Sequence, residues 1–119
     1  MDKKVNPKIV VKEYLKNIPR NIKVKGVFLF GGYATGKVSN DSDIDIIVIS
    51  PNFKNISFIK RLEMLSHTQG AAKITRSVPM DIFGYTPEEF KNIDKESIVM
   101  RRAKKEGKMI YVDKTNELD

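Results

Sequence analysis

The chain has 119 residues, 40% of them hydrophobic and 31% charged, with a formal net charge of +7 and no cysteine. That length holds one domain over residues 1–119 and leaves no room for a second, and the balance of apolar and charged residues is that of an ordinary soluble protein. No apolar run approaches the ~20 residues that span a bilayer, the first residues lack the apolar stretch of a secretory signal, and no disulfide framework exists, which together predict a cytoplasmic protein without a membrane segment.

Asn6 to Ile18 carries Ile9, Val10, Tyr14 and Leu15 at helical spacing and stops at Pro19, which predicts an amphipathic helix with a lysine-rich polar side. Val24 to Phe30 is a predicted strand that runs into Gly31-Gly32, where backbone without Cβ can turn sharply or approach a ligand. Asp43 to Ile49 is a second strand, β-branched apart from its two acids, and Pro51-Asn52 ends it. Ile56 to about Ala72 reads as a helix through Ile56, Ile59, Leu62, Met64 and Leu65. Val78 to Tyr85 is a third strand. Thr86-Pro87-Glu88-Glu89 then signals a helix start, with Thr86 as cap, Pro87 in the first turn and Glu89 closing a capping box.

Lys95 to Glu106 is the last predicted helix, with Gly107 placed for a left-handed cap and Met109 to Val112 as a closing strand. Its run Arg101, Arg102, Lys104, Lys105 and Lys108 reads as a solvated helix face, and the positive net charge favours polyanions without any specific nucleic-acid motif. Met64, Met80, Met100 and Met109 read as core filler. The order predicts an α+β fold: a small mixed sheet with helices packed on it and a frayed tail from Lys114.

The chemistry concentrates between Phe30 and Ile46. Side chains alternate along a strand, so Asp43 and Asp45 project from one face while Ile44, Ile46 and Val48 take the other. Two converging carboxylates repel, and a hard cation with oxygen ligands, such as magnesium, relieves that repulsion. Gly31-Gly32 at the preceding strand end suits a backbone cradle for phosphate. Asp81, in a strand able to lie beside Asp43 to Ile49, adds a third acid, and three carboxylates on neighbouring strands suit a two-metal site.

Gly31-Gly32, a ten-residue spacer, Asp43-Ile44-Asp45 and the later Asp81 resemble the nucleotidyltransferase superfamily of DNA polymerase beta. The run Asp81 to Phe90 and the ending Lys105 to Tyr111 resemble its small stand-alone members, the minimal nucleotidyltransferases. The resemblance implies the nucleotidyltransferase fold and transfer of a nucleoside monophosphate, AMP from ATP, to a hydroxyl with release of pyrophosphate. It implies magnesium or manganese held by Asp43, Asp45 and Asp81, with Asp81 also helping to activate the acceptor hydroxyl. Gly31, Gly32, Tyr33 and Lys37 are the candidate nucleotide contacts: Gly32 stands where serine is frequent in the family, and Lys37 is the cation near Thr35, where many minimal members carry arginine. The resemblance also implies a runner-up role as antitoxin or binding module beside a small helical HEPN-type protein, or as an inactive nucleotide sensor. A catalytic fold without an acceptor domain further predicts a homodimer or a heterocomplex.

Each residue has a plainer reading. Asp43 and Asp45 can be exposed acids on an edge strand, Asp81 can answer a nearby lysine, and Tyr33 can be a surface residue rather than a base-stacking ring. Asp41 reads as a turn residue, and the lone His67 as structural or solvated. A P-loop fails at Val38, where Ser or Thr is required. A calcium loop fails at Ile46 and Asn52, where glycine and glutamate are required.

Overall fold

A computed structural model describes residues 5–39 and 42–114. Asp41 and the predicted tail beyond Lys114 lie outside the described residues.

The first helix, α1, spans Pro7–Leu15; Asn6 caps it by accepting from the Lys8 N–H at 2.9 Å, and proline occupies its first turn. Val10, Val11 and Tyr14 form its buried face, whereas Ile9 is 58% exposed and does not share the core role that its spacing predicts. Four strands follow: β1 at Gly26–Phe30, β2 at Ile44–Ile49, β3 at Met80–Tyr85 and β4 at Lys108–Val112. They form one mixed sheet in the order β3-β2-β1-β4, in which β2 and β3 run parallel and the other two pairs antiparallel.

Both faces of the sheet are covered, as a strand nearly all apolar requires. On one face Val27, Leu29, Ile44, Ile46, Val48 and Ile82 pack against α1 and against Leu65 of α3, Phe58–Gln69. The Tyr14 hydroxyl ties these two helices by donating to the Leu65 carbonyl at 2.8 Å. On the other face Phe28, Ile47, Ile49 and Tyr85 pack with Ile93, Phe90 and Met100. The side of β2 that carries Asp45 is therefore apolar again from Ile47 onward.

The helix predicted over 56–72 is two helices: α3 stops at Gly70, and a short α4 follows at Lys73–Arg76. The Gln69 side chain fixes the break, donating to the carbonyls of Thr75 and Val78 at 3.1 and 2.9 Å. Ile59, at 70% exposed, faces solvent rather than the core. The buried face of α3 instead holds Arg61, only 4% exposed. Its guanidinium donates to the carbonyls of Ile56, Phe53 and Gly84 at 2.8, 2.8 and 3.0 Å and to both oxygens of Glu89.

Helix α5, Pro87–Lys91, opens with the predicted capping box, Thr86 and Glu89 each bonding the other's backbone. Helix α6, Ile98–Glu106, is capped by Ser97. Gly107 is not the left-handed cap that the sequence suggests, because its backbone is extended at φ −85° and ψ −178°. Glycine suits the site for another reason: a Cβ there would strike the Phe28 ring and the Leu29 carbonyl at about 2.5 Å. Met109 is 41% exposed on the edge strand, so it is not core filler.

Candidate active site

The register of the sheet assembles the acids. Phe30 at the end of β1 pairs with Asp45 near the start of β2, and Asp45 lies beside Asp81 of the parallel β3. Residues in register on adjacent strands point to one side, so Asp45 and Asp81 share a face at the same end of the sheet. Asp43 sits one residue before β2 and joins them: each of the three carboxylates offers an oxygen within 4.8 Å of the others. Asp43 and Asp45 are half-buried and Asp81 is exposed.

Electrostatics follow from this crowding. Burial, then the charges of Asp81 and Asp43, push the Asp45 carboxyl up to about 6. Burial and the Asp81 carboxylate also raise Asp43 above the usual range. An all-oxygen donor set in which the crowding raises the proton affinity of Asp43 and Asp45 fits a magnesium-type cation. Two of the three donors lie on neighbouring strands of one sheet, which fixes their spacing.

Gly31 shapes the opposite wall. Its backbone stands at φ 73° and ψ −157°, a region open essentially to glycine alone. A Cβ there would also collide with the Asp45 carboxylate. The chain turns at this point from β1 into α2, Gly32–Thr35, where the N–H groups of Ala34 and Thr35 donate to the Gly31 carbonyl at 3.0 and 3.2 Å. Gly36, at φ 83°, ends the turn. Gly32 is confined as well, since a Cβ would lie 3.0 Å from the Lys37 carbonyl. Gly31→Ala is accordingly expected to lower any metal-dependent activity of the site by about a hundredfold, because a positive-φ strain adds to displacement of a ligand oxygen. Kinetics measured beside circular dichroism test this, and parent-like turnover would refute the close approach.

The other candidate contacts divide. Lys37 is exposed beyond Gly36, free to reach a phosphate. Tyr33 is half-buried and packs against the larger core, so its ring anchors α2 rather than lying free. Sequence reasoning missed three contributors. The Ser42 hydroxyl accepts from the Ser39 N–H at 2.8 Å, fastening the chain just ahead of Asp43. Phe30 and Phe83, with ring centroids 6.2 Å apart, close the core beneath the acids. Their signal was present in the alternation, two residues from Gly32 and Asp81, but only the register brings the rings together. His67 is exposed on α3.

Residues 10–115 match the family model described as nucleotidyltransferase domain. Two relatives from Methanocaldococcus jannaschii, MJ1379 and MJ1215, both named as candidate protein adenylyltransferases, are 34% identical over 62 residues and 42% identical over 41 residues. Those stretches cover 52% and 34% of this chain, and 62% and 48% of the relatives' own lengths. Among solved structures, a candidate nucleotidyltransferase from Sulfolobus solfataricus superposes with a TM-score of 0.59 at 20% identity, covering 91% of this chain and 78% of that one. A toxin–antitoxin complex with AMP-PNP gives 0.54 at 22% identity, over 95% of this chain and 78% of that one. An MntA-HpeT toxin–antitoxin mutant gives 0.53 at 20% identity with the same coverage. At such identities the solved structures speak to the fold alone. The family model spans nearly the whole chain and contains the glycine turn and all three acids, so the chain belongs to the nucleotidyltransferase domain family.

Proposed function

We propose that this chain transfers AMP from ATP to a hydroxyl acceptor and releases pyrophosphate, with magnesium or manganese held by Asp43, Asp45 and Asp81. The observation that carries this reading is the convergence of three carboxylates within 4.8 Å beside the bare backbone of Gly31. The relatives named for protein adenylyltransfer and the neighbour crystallised with AMP-PNP support it.

Asp43, Asp45 and Asp81 would hold the divalent cation, which when bound would neutralise their charges and stabilise negative charge on the phosphate oxygens. Asp43 and Asp45 would hold the cation against which the triphosphate lies, with Gly31-Gly32 letting the phosphates approach the main chain and Lys37 offering a cation from the exposed side. Asp81, the exposed member of the three, accepts a hydrogen bond from the acceptor hydroxyl and takes its proton. The acceptor oxygen then bonds the α-phosphorus, the bond to the bridging oxygen breaks, and pyrophosphate leaves.

Calorimetric titration of ATP with magnesium and again with excess chelator tests the site. Affinity is expected to collapse on chelation, because three acids repel a polyanion until cations neutralise them. Equal affinity in both titrations would rule the site out. The pH dependence has a definite sign. Asp45 is raised in the fold, so the metal-free protein gains stability as pH falls from 7 through about 6 toward the unfolded carboxyl value. Protons and metal compete for the same oxygens, so the rise in Tm on adding magnesium should be large at pH 7.5 and shrink below pH 6. An increment that stays flat across this range would separate the metal from Asp45.

The toxin–antitoxin neighbours support a second reading, in which the chain serves as the antitoxin partner of a HEPN-type protein with or without catalysis. Tight partner binding with no transfer by any preparation would favour it.

A further inference from the structure

The basic run of the last helix is not used by the site described above, and it places clustered cations beside two strongly exposed apolar side chains. On α6, Ala103 is buried and Met100 packs on the second core, so those positions fix the inner side of the helix. Positions 98, 101, 102 and 105 fall on the opposite side at helical spacing. Those residues are Ile98, Arg101, Arg102 and Lys105. Ile98 is 80% exposed and its neighbour Val99 is 73% exposed. The cations are weakly engaged: Arg101 donates to the Asp94 carbonyl at 3.4 Å, Arg102 reaches Glu106 only at 4.0 Å, and Lys105 has no partner among the described residues. Lys104 behaves differently, since Asp94, the Lys91 carbonyl and the Phe90 ring hold it.

The helix also points at the site. Gly107, directly after α6, lies against the Phe28 ring and the Leu29 carbonyl. Lys108 pairs in register with Leu29, two residues before Gly31. A molecule lying along the outer face of α6 is thereby led toward the end of the sheet that carries the acids.

We propose that the outer face of α6 is the docking surface for the acceptor, a protein whose acidic surface flanks an apolar pocket. This rests on the transfer reading given above. Charge complementarity selects an acidic partner, because three cations on one stripe repel a second copy of the same stripe. The two exposed β-branched side chains select a protein over a nucleic acid, since apolar anchors gain affinity only by entering an apolar pocket, which a phosphate backbone lacks.

The test is selection of a displayed random peptide library on the immobilised full chain, followed by fluorescence polarisation with the best labelled peptide. Enriched peptides are expected to place Asp or Glu around Leu, Ile, Phe or Trp. Affinity should fall by about tenfold or more in Arg101→Glu/Arg102→Glu and in Ile98→Ser, with the charge reversal losing its salt dependence too. Lys60→Glu/Lys73→Glu, which changes net charge equally on exposed positions of α3 and α4, should stay within about twofold. Magnesium–ATP binding, read on the same samples, should be unchanged in every variant; its absence in the parent as well would sink the transfer reading while leaving the peptide result to judge the surface. The docking proposal is overturned if no acidic peptide is enriched, if the α6 variants bind as the parent does, or if the control pair loses as much. It is equally overturned if a short DNA duplex binds more tightly than the best peptide and loses affinity to the same α6 changes, which would make the stripe a nucleic-acid surface.

Discussion

Asp45→Asn is expected to abolish nucleotide transfer, lowering it by about a thousandfold or more, and Asp43→Asn should match it, because both remove a charge that holds the metal against the reacting phosphate. Asp81→Asn should separate two properties that these variants lose together. Its side chain is exposed and faces the acceptor in the proposed mechanism, so magnesium–ATP binding should largely persist while transfer drops by about a hundredfold. Removing any one acid also relieves repulsion among the three, so none of these variants should be less stable than the parent without metal. The measurements are labelled-ATP transfer to candidate acceptors, calorimetric ATP binding and thermal melting on the same preparations. Parent-like transfer by all three variants would remove the catalytic assignment.

The second large effect concerns stability and lies at the other end of β3. Arg61→Met is expected to cost about 3 kcal/mol, because the carbonyls of Ile56 and Gly84 lose the donor that Arg61 supplies, that of Phe53 keeps only the Ile56 N–H, and Glu89 loses its partner. For a chain of this size that corresponds to a Tm lower by about 10 °C or more. The ion pair contributes less than the carbonyls: Glu89 is 40% exposed on its side chain, and solvent screens it. Glu89→Gln should therefore cost only about 1 kcal/mol, since the amide oxygen can still accept from the Thr86 N–H and complete the capping box. Hydrogen bonding by Arg61 holds the Glu89 carboxyl below its usual range. A lowered folded value means stability that is present above the ordinary glutamate range and lost as pH falls through the depressed value, so Glu89→Gln should flatten acid unfolding in that window. Urea and thermal denaturation across pH give the result. An Arg61→Met variant within about 0.5 kcal/mol of the parent would show that the carbonyls find water instead.

The same two regions show what was legible in the chain. The capping box at Thr86 and Glu89 was readable because a cap depends on residues three apart and on little else. The four strands were readable as short apolar runs between turn residues, the second of them almost all β-branched, and the mixed α+β class followed from their order. For the site, the glycine turn and the alternation that sets Asp43 and Asp45 on one side were local facts, and Asp81 was legible as a third acid in a strand able to lie beside them, to which the family resemblance gave a role. Arg61 carried no such signal. In the sequence it is one more cation on a charged helix, and only the arrival of Gly84, Phe53 and Glu89 from distant positions makes it the buried centre of a bonding network.

The sequence by itself determined the four strands, the first and last helices, the glycine turn and the three acids as candidates, because these depend on backbone propensity, side-chain period and short-range spacing. Only the tertiary structure decided that β2 pairs in parallel with β3 so that Asp45 meets Asp81, that Gly107 is extended against Phe28, and that Ile9 and Ile59 face water. It also decided that Gly31 must be bare because the Asp45 carboxylate occupies the space of its Cβ. These outcomes depend on which strands come together and in what register, a long-range choice that the whole packed core makes and that no short window of sequence contains.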